Sequence, residues 1–267
     1  MSRDQTSPAH DAEYDDDSIS FLETLWGEGY LSPGGPEEIR AVLDGFDLEG
    51  LTVLDIGCGS GGITLSLAED YGAGRVVGID VEQPVLEKAK RRAEERGLSG
   101  RVEFVRIEPG PYPFPDASFD IVFSKDAMIH IPDKEALFAD IFRLLRPGGR
   151  FLASDWMIAH DDEPSPDMKA YLEQEGLSFN MASPERYRRA MEAAGFIDVG
   201  LRNRNPWYLE VARSELAAME GDLYDKAVAA AGREIVNHNI ETWRAMLKVL
   251  ESGEHCPHHL RARKKDV

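Results

Sequence analysis

Apolar segments of β type alternate with amphipathic helical segments over the first 156 residues of the chain. Strands are predicted near 51–56, 75–81, 102–107, 119–124 and 149–156. Between them, apolar residues at helical spacing predict helices near 61–71, 83–97 and 134–146. Such alternation is typical of a parallel sheet with helices on both faces. Ligands bind at the carboxyl ends of such strands. One rim of the sheet is therefore expected to hold Gly57, Asp80, Glu108, Asp126 and Trp156.

The segments on either side of this region are mainly helical. Further helices are predicted over 13–28, 37–43, 168–175, 183–194 and 209–250, the last one broken at two glycines. Asp17 or Ser18 is expected to cap the first of them. A sixth strand is predicted over 196–202, and a last edge strand over 259–264. The long helical piece between these two strands is expected to pack over the rim as a lid.

The composition is that of a globular protein with an acidic surface. Apolar residues make up 42% of the chain and charged residues 30%. The net charge of −19 would repel nucleic acid and anionic lipid, so neither nucleic acid nor a membrane is expected as a partner. The charge is compatible with a cationic small substrate, with a high-salt cell, or with a role in solubility alone.

The cysteine content and the absence of sorting signals bear on the compartment. No apolar run approaches the length of a membrane span, and no signal peptide is visible. Two cysteines, Cys58 and Cys256, are too few for a disulfide framework and indicate a reducing compartment. We therefore expect a cytoplasmic monomer or homodimer that acts on a small molecule.

The chemistry of the rim centres on the glycine-rich segment that follows the first predicted strand. Strand, glycine turn and helix over 51–71 form the start of a βαβ unit, whose free backbone N–H groups point at a ligand. Asp80 ends the second strand, where an acid usually holds a ribose hydroxyl. A nucleoside-bearing cofactor is therefore predicted. Gly57, Gly59 and Gly62 fit the pattern G-x-G-x-x-G, which leaves a nicotinamide dinucleotide possible.

Three further features favour S-adenosylmethionine over a dinucleotide. They are Asp55 inside the first strand, the run from Pro115 to Ser124 and the run from Leu144 to Leu152. In this order and spacing they resemble the class I methyltransferases over about residues 40–160. The resemblance implies S-adenosylmethionine as cofactor, S-adenosylhomocysteine as product and no metal. It also implies a Rossmann-like α/β fold, mostly parallel with the last strand antiparallel, with N-terminal helices and a helical lid insertion.

The domain organisation follows from the same resemblance. Residues 1–12 are expected to be a disordered tail, and 13–46 an N-terminal helical cap. Residues 47–156 are expected to be the S-adenosylmethionine-binding core. Residues 157–267 are expected to supply the acceptor-binding lid helices together with the last strands.

Two segments at the rim are similar to the phosphoethanolamine N-methyltransferases. These are Trp26 to Gly35, rich in glycine and proline, and Lys125-Asp126-Ala127-Met128-Ile129-His130. The resemblance implies that Tyr14 and His130 latch the active site and position the amine, with Asp126 beside them. It implies a cofactor-binding set of Tyr30, Ser32, Asp55, Gly57, Gly59, Asp80, Val81, Glu108 and Ser124. The same pattern occurs in sarcosine and dimethylglycine N-methyltransferases.

The residues expected around the methyl acceptor differ from those of the phosphoethanolamine N-methyltransferases. Tyr171 matches a phosphate-holding Tyr of that family, but Glu175, Leu177 and Met246 stand where the family has Arg, Tyr and Lys. A phosphate beside Glu175 would be bound poorly, because the two negative charges repel each other. Arg202 could still hold a carboxylate or phosphate, because a guanidinium fork suits both.

Aromatic residues are the other candidates for the acceptor site. Trp156, just after the fifth strand, could hold a methylated ammonium by cation–π attraction, with Trp207 as a further wall. The cluster His255, Cys256, His258 and His259 fits no zinc spacing, and no metal site is predicted. Cys58 is expected to pack rather than react.

These features predict a methyltransferase that transfers a methyl group from S-adenosylmethionine to the nitrogen of a small amine. Glycine-like, sarcosine-like and phosphoethanolamine-like acceptors all stay open. An O- or S-methyltransferase is the first alternative. A nicotinamide-dependent oxidoreductase and a non-catalytic S-adenosylmethionine-binding protein are alternatives of other classes.

Overall fold

The computed structural model of the chain describes residues 15–266. Tyr14 and the predicted tail 1–12 lie outside the described residues. The described strands are β1 (Thr52–Ile56), β2 (Arg75–Asp80), β3 (Val102–Arg106), β4 (Phe119–Lys125), β5 (Leu145–Asp155), β6 (Ile197–Asn203) and β7 (His258–Arg263). The described helices are α1 (Asp16–Trp26), α2 (Gly35–Leu43), α3 (Gly62–Glu69), α4 (Gln83–Glu95), α5 (Lys134–Leu144), α6 (Pro166–Glu175), α7 (Pro184–Ala194), α8 (Asn205–Glu220), α9 (Tyr224–Ala231) and α10 (Arg233–Ser252). A 3₁₀ turn over Met128–His130 follows β4.

The strands form one sheet in the order β3-β2-β1-β4-β5-β7-β6. The strands β1 to β5 pair in parallel, and β7 runs antiparallel to both β5 and β6. This arrangement confirms the predicted mostly parallel, Rossmann-like fold with an antiparallel last strand. The parallel order reverses beside β1, which carries the glycine turn and lies between β2 and β4.

Three local predictions need correction. The last strand, β7, is not an edge strand but lies between β5 and β6, because its backbone pairs with both of them. The fifth strand begins at Leu145 rather than 149, since Leu145 already pairs with Phe119. The first helix is capped by Asp15, whose side chain accepts the Ser18 N–H at 2.7 Å, and not by Asp17 or Ser18.

Alternation along the strands places an apolar core on each face of the sheet. Val53 packs with α2, α3 and α4 on one face. Leu54 and Ile56 pack with α5 and α7 on the other face. With both faces covered, the strands read as nearly continuous apolar runs, which is why the sequence pattern predicts them well.

A third apolar cluster lies among α1, α6, α8, α9 and α10. It is tied to the sheet through Glu38 of α2, which is fully buried. The Glu38 carboxylate accepts hydrogen bonds from Arg204 at 2.6 Å and from His259 at 2.6 Å. Burial would raise the pKa of Glu38, but the bonds and charges of His259 and Arg204 outweigh it and hold that pKa below its ordinary value. None of the described helices is long and apolar enough to cross a membrane.

Candidate active site

A large cavity of about 920 Å³ opens at the carboxyl ends of β1, β2 and β4. Six of the nine residues predicted to bind cofactor line it, namely Ser32, Gly57, Gly59, Asp80, Val81 and Glu108. We call this space the donor cavity. Its position beside the point where the strand order reverses is where ligands bind in open α/β sheets.

Two backbone contacts shape the donor cavity. Gly57 has a positive φ of 71°, and a Cβ there would lie 2.1 Å from the Cβ of Ala127. Gly62 donates its N–H to the Gly29 carbonyl at 2.9 Å, and a Cβ on Gly29 would lie 2.7 Å from the Gly62 Cα. The N-terminal loop therefore closes directly onto the glycine turn, which no side chain larger than hydrogen would permit.

Asp80 and Val81 give the donor cavity its polar and apolar features. Asp80 accepts the Gly59 N–H at 2.9 Å and the Glu82 N–H at 3.0 Å. Burial raises the pKa of this carboxyl, although both bonds oppose the effect. Val81 is 42% exposed, the one exposed large hydrophobic side chain among residues 15–266. A fixed carboxylate beside an open apolar surface suits a ribose and a base.

The other three predicted cofactor residues lie outside the lining. Asp55 is buried beneath the glycine turn and accepts from the Thr64 hydroxyl at 2.6 Å, and burial raises its pKa to about 7. The Ser124 hydroxyl donates to the Ile56 carbonyl at 2.9 Å. Tyr30 is half-buried against the cluster that contains α3. The structure therefore gives these side chains contacts that fasten the strands and the turn.

A second cavity of about 320 Å³ lies next to the first, between α1, α6 and α10. We call it the acceptor cavity. Its aromatic walls are Phe21, Trp26, Trp156, Phe179 and Trp243. Four residues line both cavities, namely Leu31, Ser32, Asp126 and His130. The predicted residues Ser32, Asp126 and His130 are thus brought together at the junction of the two cavities.

Asp126 is held rigidly at this junction. Its side chain is only 4% exposed and forms an ion pair with Lys125. Lys125 also donates to the Ser32 hydroxyl at 2.8 Å, and the Tyr208 hydroxyl of α8 donates to Asp126 at 3.3 Å. The positive φ of Asp126, 53°, turns the chain out of β4. Sequence reasoning did not identify Lys125 as a part of the site.

A buried polar network holds the turn that carries His130. Lys134 donates to the Met128 carbonyl at 2.7 Å, and Asp155 accepts the Ile129 N–H at 3.2 Å and the Tyr187 hydroxyl. Burial lowers the pKa of Lys134 and raises that of Asp155, although the attraction between the two opposes both shifts. The sequence signal for this network was Asp155, an acid inside the apolar strand β5, just as Asp55 is an acid inside β1.

The His130 ring itself faces the aromatic side of the junction. It makes an edge-to-face contact with Phe179, with 5.4 Å between ring centroids. Phe179 in turn packs edge-to-face against Trp156 at 5.9 Å. His130 and Trp156, which were predicted separately as site residues, are therefore linked through Phe179, a residue that the sequence pattern did not single out.

Glu215 of α8 fixes two walls of the acceptor cavity. Its carboxylate accepts the indole N–H of Trp26 at 2.6 Å and that of Trp243 at 2.9 Å. Burial raises the pKa of Glu215 to about 7, while both indole bonds and the charge of Lys125 oppose the effect. Nothing in the local pattern around Glu215 indicates this contact, because its partners come from opposite ends of the chain.

Three predicted acceptor residues do not reach either cavity. Tyr171 is fully buried beside His255, at 5.8 Å between ring centroids. Arg202 is exposed on β6. Trp207 is half-buried and lies under the guanidinium of Arg204, 4.6 Å from it. Their proposed contacts with the acceptor find no support in this arrangement.

The histidine cluster near the C-terminus has other partners. His255 is fully buried beside the Met157 carbonyl, and burial lowers its pKa to about 4. His259 pairs with Glu38. Among residues 15–266, no group of three or more His, Cys, Asp and Glu side chains is arranged to hold a metal ion. Cys58 is buried in the apolar cluster beneath the glycine turn, and burial raises the pKa of its thiol.

Comparison with known proteins agrees with this geometry. Residues 47–195, more than half of the chain, match the methyltransferase domain family. The chain belongs to this family. The prediction of a class I methyltransferase is therefore confirmed at the level of family and fold, and the dinucleotide alternative loses its support. The matched residues include every strand that borders the donor cavity.

Longer relatives align with most of this methyltransferase chain. A phosphoethanolamine N-methyltransferase of Triticum aestivum is 35% identical over 243 residues, which make up 91% of this chain and 47% of that protein. Phosphoethanolamine N-methyltransferase 2 of Caenorhabditis elegans is 31% identical over 91% of this chain and 55% of its own length. The chain thus spans about half the length of the curated relatives it matches. The predicted resemblance to phosphoethanolamine N-methyltransferases is confirmed.

Solved structures extend the likeness to the whole fold. Phosphoethanolamine N-methyltransferase 2 of Haemonchus contortus, in complex with phosphomonomethylethanolamine and S-adenosylhomocysteine, superposes with a TM-score of 0.87 at 29% identity. The match covers 95% of this chain and 59% of that chain. A Galdieria sulphuraria structure described as a sarcosine dimethylglycine methyltransferase gives a TM-score of 0.80 at 18% identity, covering 94% and 98%. That second likeness concerns the fold alone.

Proposed function

We propose that this methyltransferase transfers a methyl group from S-adenosylmethionine to the nitrogen of a small amine. The observation that carries the proposal is the junction of the two cavities at Ser32, Asp126 and His130. A cofactor in the donor cavity and an amine in the acceptor cavity would meet only there. The relatives named as phosphoethanolamine N-methyltransferases, one of them with S-adenosylhomocysteine bound, support the same reaction class.

The donor cavity fits the cofactor in size and in chemistry. Its volume of about 920 Å³ is ample for a nucleoside with an amino acid side chain. Asp80 would hold the ribose hydroxyls, and Val81 would lie against the base. Gly57 and Gly59 would let the amino acid part approach the main chain. S-adenosylmethionine would supply an electrophilic methyl group bonded to a sulfonium sulfur.

The residues at the junction would align the acceptor with that methyl group. The amine nitrogen would donate its lone pair to the methyl carbon as the carbon–sulfur bond breaks, and the bonding pair would stay on sulfur. If the amine is bound as an ammonium, His130 would accept one of its protons, which frees the lone pair for the transfer. Asp126, fixed by Lys125 and Tyr208, would orient the amine. Tyr14 stays a predicted partner of His130 outside the described residues.

The predicted division of the chain is retained as part of this proposal. Residues 47–156 would bind the cofactor, and 13–46 together with 157–267 would enclose the acceptor. The acceptor cavity draws its lining from Phe21 of α1, Glu175 of α6 and Trp243 of α10, on both sides of the core in sequence. Closure of these helices over the junction would exclude water from the transfer.

A turnover assay tests the proposal directly. The purified protein would receive S-adenosylmethionine and, one at a time, ethanolamine, phosphoethanolamine, their N-methyl derivatives, glycine, sarcosine and dimethylglycine. Formation of S-adenosylhomocysteine and of the N-methylated product would be followed by mass spectrometry. N-methylation of one of these amines is expected. Tight cofactor binding without turnover of any amine, or methylation only of hydroxyl or thiol compounds, would contradict the proposal.

A further inference from the structure

The acidic side chains that line the acceptor cavity have no lysine or arginine beside them in its described lining. The lining includes the carboxylates Asp126 and Glu175 and no lysine or arginine among the described residues. Asp126 is neutralised by Lys125, whose ammonium is also committed to Ser32. Glu175 makes no ion pair and no hydrogen bond with another described residue through its side chain. One carboxylate therefore faces the acceptor cavity without a counter-charge.

The candidate cations nearby are occupied elsewhere. Arg204 pairs with Glu38, and Arg202 is exposed on β6. The lining contains one other histidine, His238. Its Nδ1 accepts a hydrogen bond from the Gln174 side-chain amide at 3.2 Å. An anionic group in this cavity would thus meet Glu175 and find no guanidinium or ammonium to pair with. A phosphate or a carboxylate on the acceptor would be repelled.

The walls of the cavity favour the opposite charge. Trp156 and Phe179 pack edge-to-face, and both line the cavity. Trp26 and Trp243 stand 6.0 Å apart with their N–H groups turned to Glu215. Aromatic faces around a small space attract ammonium and methylated ammonium groups. Burial raises the pKa of Glu175 to about 7, and a bound cation would favour its charged form.

We infer that the acceptor is a small cationic amine that carries neither phosphate nor carboxylate, and that Glu175 selects it. This inference rests on the proposed function and narrows it. The substrate class is that of ethanolamine, its N-methyl derivatives and short diamines. The relatives named for phosphoethanolamine would then differ from this chain in the charge that their acceptor site accommodates.

A charge-swap experiment on the protein with S-adenosylmethionine tests the inference. The kcat/KM for ethanolamine and N-methylethanolamine would be compared with that for phosphoethanolamine and sarcosine at about pH 8, where Glu175 is ionised. In the wild type, kcat/KM is expected to be about 10-fold or more higher for ethanolamine and N-methylethanolamine than for phosphoethanolamine and sarcosine. Glu175→Gln should reduce that preference about 10-fold, and Glu175→Arg should reverse it. Glu173→Gln, on the exposed side of the same helix, is the matched control and should leave the preference unchanged.

The possible results separate the two proposals. Preference of the wild type for phosphoethanolamine or sarcosine would overturn the inference and leave the proposed function standing. An unchanged preference in Glu175→Gln, with normal S-adenosylhomocysteine affinity as evidence of folding, would also overturn it. If both Glu175 variants failed to fold, the wild-type preference alone would decide. Turnover of no amine would overturn both the inference and the proposed function.

Discussion

The donor and acceptor cavities share a boundary, but different parts of the chain form their walls. The donor cavity is bounded by backbone at the turns that follow β1, β2 and β4, together with side chains of the same core. The acceptor cavity is shaped by large side chains of helices from opposite ends of the chain. The family match over residues 47–195 includes the turns of the donor cavity but ends before α8 and α10. A backbone site can serve many family members, whereas a side-chain site can change its ligand with a few substitutions.

This difference predicts that the two binding functions can be separated by mutation. Removal of a donor-cavity group should weaken cofactor binding, and removal of an acceptor-cavity group should change turnover or amine affinity. The junction residues belong to both cavities, so they are the strictest test of the separation.

The largest effect is expected at the junction. His130→Ala should lower kcat by about 100-fold or more, because proton uptake from the amine is lost. Affinity for S-adenosylhomocysteine, measured by calorimetry, should stay within about twofold, since the donor cavity has many other contacts. His160→Ala, in the loop after β5 and outside both linings, is the control. A matched loss of cofactor affinity in His130→Ala would contradict the proton-accepting role.

The next effect concerns the donor cavity. Asp80→Ala should weaken S-adenosylhomocysteine binding by about 10- to 100-fold, the range expected when hydrogen bonds to a charged group are lost. The bonds from Gly59 and Glu82 N–H groups would be lost as well. Glu103→Ala, exposed on β3 in a surface ion pair, should leave the affinity unchanged. Unchanged calorimetric affinity in Asp80→Ala would remove Asp80 from the ribose site.

The smallest effect is expected behind the aromatic walls. Glu215→Gln keeps one acceptor oxygen and loses the other, so one of the two indoles is released. The KM for the amine should rise about fivefold, as for one lost hydrogen bond, with cofactor affinity unchanged. Glu210→Gln, exposed on the same helix, is the control. A rise in the KM for S-adenosylmethionine instead would place Glu215 with the donor cavity.

The same variant has a predictable pH dependence of stability. Burial raises the pKa of Glu215 to about 7 in the folded protein, above the value of an unfolded Glu. Between these two values the unfolded chain releases a proton that the folded chain keeps, so the wild type loses stability as the pH rises. Gln does not titrate. The destabilisation caused by Glu215→Gln should therefore be smaller at about pH 8 than at about pH 5, as measured by urea unfolding.

The two cavities also differ in how far the sequence predicted them. Gly57, Asp80 and Val81 lie in contiguous motifs whose local geometry, a strand followed by a turn, places them at the rim. Glu215 and Phe179 have no such motif, because their partners are distant in sequence. Arg202 lies in the predicted sixth strand and Trp207 just before the helix predicted from residue 209. The placement of both depends on where β7 enters the sheet and on the pairing of Arg204 with Glu38.

By itself, the sequence determined the alternation of strands and helices, the glycine turn and the class of fold. These follow from short-range patterns, since side-chain period and turn chemistry act over a few residues. Only the tertiary structure decided that β7 lies inside the sheet, that Lys134 and Asp155 hold the His130 turn, and that Glu175 lines the aromatic acceptor cavity. Those contacts join residues far apart in the chain, and their energies depend on burial, which the order of residues does not state.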